Sequence, residues 1–217
     1  MRRHFTADAG TIRMISRLAS HSRRMALVVA SIGFAATPAL AHPGHEATSG
    51  LASGFLHPFG GLDHVLAMVA VGLIAARIGG RALYLVPLAF LGMMVVGGVL
   101  GVAGVGLPFV EVGIALSVMV LGAVLALRTA LPVLGAMVLV GAFAVFHGFA
   151  HGTEMPDAAL GLAYGLGFVA ATALLHAAGL GLGLAAGRLN LSGRGPALRV
   201  AGAAFAAAGL GLLAGAF

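Results

Sequence analysis

Residues 82–103 read ALYLVPLAFLGMMVVGGVLGVA, an unbroken stretch without a single charged side chain. Its length matches the ~20 apolar residues that a helix needs to cross the hydrocarbon of a bilayer. Five more apolar segments lie near 59–78, 109–128, 131–150, 158–186 and 197–217. None alternates with a period of two, which argues against a β-barrel. Lipid offers the backbone no hydrogen-bond partner, and a helix satisfies it within one segment. The expected fold is an all-α membrane protein with about six transmembrane helices. The breaks between segments fall at Gly79-Gly80, Gly104 to Pro108, Thr129 to Pro132, Gly152 to Pro156 and Arg188 to Pro196.

Composition agrees. Only 8% of the 217 residues are charged and 60% are hydrophobic, where a soluble domain carries about 25% charged residues. Six spans with short loops leave no room for a soluble catalytic domain, so the chain is read as not an enzyme and no catalytic residue is assigned. The formal charge of +6 is concentrated in residues 1–41, which hold six Arg against Asp8. Residues 42–217 hold six Arg against five acids. No basic face remains for nucleic acid. There is no Cys, which removes disulfides, thiolate metal sites and thiol nucleophiles.

The amino-terminal region reads as a secretory signal peptide over 1–41, followed by one transmembrane domain over 42–217. Arg23 and Arg24 end a basic region, Met25 to Ala36 is a short apolar stretch, and Ala39-Leu40-Ala41 is a small-x-small cleavage site. Cleavage there would begin the mature chain at His42-Pro43-Gly44-His45-Glu46, outside the cytoplasm. The Gly, Ser and Thr that follow read as a loop. Arg77 and Arg81 flank the first interhelical loop, Arg128 the third, and Arg188, Arg194 and Arg199 the fifth, while the second and fourth carry Glu111, Glu154 and Asp157. Positive loops stay cytoplasmic, so both mature termini are expected outside, in a bacterial inner membrane. Small residues four apart, at Gly97 and Gly101, Gly161 and Gly165, and Gly179, Gly183 and Gly187, suit close helix packing in lipid.

Ionisable groups inside a membrane cost roughly 2.5–3.5 kcal/mol at the centre on insertion scales and are usually functional. Two clusters stand out. His57-Pro58-Phe59-Gly60-Gly61-Leu62-Asp63-His64 opens the first span. Phe146-His147-Gly148-Phe149-Ala150-His151-Gly152-Thr153-Glu154 closes the fourth. His147 and His151 lie one turn apart on a helical face, a recognised metal-ligand spacing, with Glu154 one turn further. The residue after His147 is Gly148, so this is not the zinc-protease pattern, in which a Glu follows the first His. The odd-numbered first span and the even-numbered fourth bring both clusters to the same external level. His57, Asp63, His64, His147, His151 and Glu154 are therefore the candidate metal ligands. Without Cys, they favour Ni²⁺, Co²⁺ or Zn²⁺ over Cu(I). Asp63 also reads as a helix-start residue favoured by the macrodipole. His176, deeper in the fifth span, is a candidate secondary ligand or a lone His bonded to a neighbouring helix. His42, with its free amine after cleavage, and His45 are candidates for external capture.

These motifs resemble the HupE/UreJ family of nickel permeases. The pattern of His, five residues, then Asp-His is met by His57, Asp63 and His64. The pattern Phe-His-Gly-x-Ala-His-Gly-x-Glu is met from Phe146 to Glu154. The resemblance implies Ni²⁺, or in some relatives Co²⁺, as a transported substrate, no permanently bound cofactor, and a link to hydrogenase or urease maturation. Two other classes fit parts of the pattern: a non-transporting metal sensor or assembly factor using the same ligands, and a haem-bearing electron-transfer subunit. Bis-His haem needs two imidazoles facing each other across a gap, which His147 and His151 on one face do not provide.

Overall fold

The computed structural model describes residues 50–127, 131–155, 158–188 and 196–215. The leader over 1–41, its cleavage site, His42, His45 and Glu46 lie outside the described residues, as do Arg128, Asp157 and Arg194. Among the described residues the chain is helical and has no strand. The helices are α1 (Gly50–Leu56), a 3-10 turn (His57–Phe59), α2 (Leu62–Ile78), α3 (Ala82–Val102), α4 (Val110–Ala126), α5 (Val133–Thr153), α6 (Ala158–Arg188) and α7 (Pro196–Gly215).

All six apolar segments are helices, but they differ in length. Four are long and apolar enough to cross a membrane: α3, α5, residues 161–188 of α6 and residues 198–215 of α7. A fifth results if α1 and α2, bent by 81° at the break between them, form one span. Helix α4 has 17 residues, about 25 Å at 1.5 Å per residue, shorter than a typical hydrocarbon core of ~30 Å.

Helix α1 departs from the loop expected there. Gly50 and Gly54, one turn apart, are its buried residues. A Cβ on Gly54 would strike the Tyr164 carbonyl, and one on Gly167 of α6 would strike the carbonyl of Leu51. The glycines that read as loop formers are instead the surface that seats this helix against α6. Pro58 and Gly60-Gly61 then turn the chain into α2. His57 is left at the corner and His64 in the first turn of α2.

Helix α2 is the most enclosed, with Ala67, Met68, Ala70, Val71, Leu73, Ile74 and Ala75 buried. It packs on α6, while α3 pairs with α5 and α4 with α7. Lipid provides little hydrophobic drive between helices, so close backbone approach at small residues has to hold such pairs. Between α3 and α5, a Cβ at Gly97 would strike the Val145 carbonyl, and a Cβ at Gly148 the Met94 carbonyl. Gly101 likewise faces Phe149, and Gly179 of α6 faces the Val69 carbonyl of α2. The expected rows are used unevenly: Cβ atoms at Gly165 and Gly187 would meet nothing within 4 Å.

Arg77, at the end of α2, donates from Nη1 to the carbonyls of Val124 at 2.7 Å and Leu127 at 3.0 Å. A cation on the last carbonyls of α4 suits that helix terminus. It also places the carboxyl-terminal ends of α2 and α4 at one end of the bundle.

Packing at Gly97 can be tested directly. Gly97→Leu is expected to destabilise the protein in detergent by about 1–3 kcal/mol through overpacking, read as a lowered SDS-unfolding midpoint. Gly92→Leu, where a Cβ meets nothing within 4 Å, is expected to leave the midpoint unchanged. Equal midpoints for both variants would contradict the close α3–α5 approach.

Candidate metal centre

The start of α2 and the end of α5 meet, so the two motifs read from the sequence form one site. The outermost members are the half-exposed His57 and Glu154. His57 Nε2 lies 3.3 Å and His151 Nδ1 3.4 Å from Glu154 Oε2. His57, His151 and Glu154 offer ligand atoms that all lie within 4.8 Å of one another. Ligands bound at ~2.0–2.2 Å to one ion sit roughly 3.0–3.5 Å apart, so this trio is close to closing on a divalent cation.

The opposite edge of the His151 ring continues the series inward. His151 Nε2 is 3.1 Å from His64 Nδ1, and His147 Nδ1 is 3.2 Å from the same His64 nitrogen. His147 Nε2 in turn lies 2.8 Å from Ser117 Oγ. Exposure falls along this row: 37% for the His57 side chain, 17% for His151, 2% for His64 and 0% for His147. The result is a graded line of imidazoles from an exposed rim to the interior.

Helix α5 delivers three of these groups because it continues through Gly152 to Thr153, with Glu154 as its last, cap residue. The sequence places a break at Gly152. The helix persists there because Gly152 lies against the Gly98 backbone of α3, where a Cβ would collide with the carbonyl. The same-face arrangement expected for His147, His151 and Glu154 follows from that continuity.

Asp63 occupies a different position. Its Oδ1 accepts from the His64 backbone N–H at 2.7 Å, in the first turn of α2, where a carboxylate complements the helix terminus. His176 is buried to 2% exposure, and neither of its ring nitrogens has a hydrogen-bond partner among the described residues. One turn before it on α6, Thr172 Oγ1 is also buried and without a hydrogen-bond partner. Buried polar atoms are rarely left so. The Phe90 ring lies between His147 and His176, with centroids 5.9 Å and 5.2 Å away.

Three neighbours of the site escape sequence reading. Phe168 of α6 packs its ring 4.4 Å from His151 and 5.1 Å from His64, centroid to centroid. Phe90 lines the inner end. Neither carries a signal inside an apolar helix. Ser117 does, because it is the one hydroxyl side chain of α4. A cavity of about 440 Å³ between α3, α5 and α6 touches the site at His151 and Phe168. Of its lining, only His151 offers a strong metal ligand, so the row of imidazoles, and not this cavity, is the candidate ion site.

A family model described as HupE / UreJ protein matches residues 28–212. The chain belongs to the HupE/UreJ family. It is also 46% identical over 190 residues to Protein HupE of Rhizobium leguminosarum bv. viciae, covering 87% of this chain and 97% of that relative. No solved structure matches the chain. In this member of the family, the two histidine motifs supply every imidazole of the row.

His151 touches both the outer trio and His64. His151→Ala is therefore expected to weaken Ni²⁺ binding to detergent-solubilised protein at least tenfold, about 1.4 kcal/mol, by isothermal titration calorimetry. Unchanged affinity with helical content retained would remove His151 from the site.

Proposed function

We propose that this protein is a permease that takes up a divalent transition-metal ion, Ni²⁺ in the first place, across the bacterial inner membrane. The observation that carries this reading is the graded row from His57, His151 and Glu154 through His64 to His147. A capture site alone would need only the exposed trio. A pathway also needs ligands where water is scarce, because an ion leaving its hydration shell must be met by replacement donors. The nitrogen and oxygen donors, without any Cys, suit Ni²⁺, Co²⁺ or Zn²⁺, and membership of the HupE/UreJ family favours nickel. Cobalt is the runner-up ion.

In this proposal the leader over 1–41 is removed, six helices cross the bilayer, and both mature termini face outward. His42 and His45 then lie on the capture side. The arginine-bearing loops, two of which Arg77 ties together, face the cytoplasm. The shorter α4 crosses as part of the bundle, and α1 with α2 forms the bent first span. The ion is captured at His57, His151 and Glu154 and handed to His64 and His147. It then passes Phe90 to His176, eight residues beyond Phe168 on α6 and so about 12 Å deeper. Asp63 holds the α2 terminus and supplies negative charge beside His64. A membrane potential contributes about 4.6 kcal/mol per 100 mV for a doubly charged ion, twice the single-charge value. The metal supplied would serve nickel enzymes such as hydrogenase or urease.

The test is uptake of radioactive Ni²⁺ into proteoliposomes, with Co²⁺, Zn²⁺ and Mg²⁺ as competitors. Saturable entry is expected, abolished by His147→Ala and by Asp63→Ala. His176→Ala is expected to slow entry while leaving Ni²⁺ affinity intact, since capture precedes it. Tight binding without entry would favour a sensor or assembly factor, and intact uptake in His147→Ala would overturn the pathway.

A further inference from the structure

Ser117 Oγ makes two short contacts. It lies 2.6 Å from the Ile114 carbonyl and 2.8 Å from His147 Nε2. Both Ser117 and His147 are fully buried. A hydroxyl has one proton, and a carbonyl oxygen has none. Two oxygens 2.6 Å apart repel unless a proton lies between them, so the hydroxyl proton belongs to the Ile114 contact. The proton in the 2.8 Å contact must then come from His147 Nε2–H, with Ser117 Oγ accepting. The reverse assignment would leave Ser117 and Ile114 with lone pairs facing across 2.6 Å.

From this proton count we infer that Ser117 is a positioning residue, fixing His147 in the Nε2–H tautomer and so presenting Nδ1 as its lone-pair atom. Nδ1 is the atom 3.2 Å from His64 Nδ1, on the row along which the ion would pass. The inference rests on the reading of His147 as a ligand. Its chemistry is that of metal-bound histidines generally, whose second ring nitrogen donates to a partner that sets tautomer and ring orientation. Here the partner comes from α4, which otherwise contributes no polar side chain to the row. Ser117 touches no substrate and acts only through the imidazole.

The experiment uses full-length protein in lipid nanodiscs, labelled with ¹⁵N-histidine. The His147 signals are assigned by difference from His147→Asn. In the metal-free protein, His147 is expected as the Nε2–H tautomer. Ser117→Thr, which keeps a hydroxyl, is expected to retain it, whereas Ser117→Ala is expected to give a mixture of tautomers and a Ni²⁺ affinity ~10- to 100-fold weaker. A merely structural role for Ser117 would weaken binding without changing the tautomer. An Nδ1–H tautomer in the parent protein, or unchanged tautomer and affinity in Ser117→Ala, would overturn the inference. Metal-free tautomers are read without transport, so a protein that shows them but passes no Ni²⁺ would sink the permease reading and leave the role of Ser117 standing.

Discussion

The imidazoles gathered in this apolar bundle offer more hydrogen-bonding atoms than the described residues around them pair with, and the site is organised around that constraint. Each neutral ring carries one N–H and one lone pair. His64 Nδ1 faces two other ring nitrogens at 3.1 and 3.2 Å, yet a single nitrogen makes one linear bond. His64 Nε2 and both nitrogens of His176 are buried with no hydrogen-bond partner among the described residues. Such atoms weaken a folded protein unless something else occupies them. A divalent cation accepts several lone pairs at once, and the proposed pathway would use them in turn.

The helices serve this row by holding two ends together without polar contacts of their own. Gly148 and Gly152 alternate with His147 and His151 along α5, so the face that reaches α3 is backbone while the neighbouring positions carry imidazoles. On α2, Gly72 lies against the His176 carbonyl of α6, two turns below His64. Aromatic rings fill the remaining space: Phe168 against His151 and His64, Phe90 between His147 and His176. In the proposed pathway, apolar walls of this kind would keep water from competing for the ion.

Much of this is legible in the sequence because lipid limits the choices. A charge-free run such as 82–103 has one economical conformation, and motifs at opposite ends of the first and fourth spans have to meet by parity. What the sequence hides depends on contacts made across the bundle. Gly50 and Gly54 read as loop residues because their value lies in a partner, α6, more than a hundred residues away. Gly152 reads as a break, yet its closeness to Gly98 keeps α5 helical to the turn that carries Glu154. Asp63 reads as a candidate ligand that also suits a helix start, and its Oδ1 accepts from the His64 N–H at 2.7 Å in the first turn of α2. Phe90 and Phe168 are ordinary apolar residues until the rings around them are known.

The central claim is that the imidazoles, and not water, surround the metal inside the protein. Nickel K-edge X-ray absorption on Ni²⁺-loaded protein in nanodiscs tests it most directly. The account predicts a first shell of nitrogen and oxygen at ~2.0–2.1 Å, close to the distances at which imidazole and carboxylate ligands hold a divalent ion, with the outer-shell scattering that marks two or more imidazoles. A spectrum matching the hexaaqua ion, with no imidazole scattering, would contradict it.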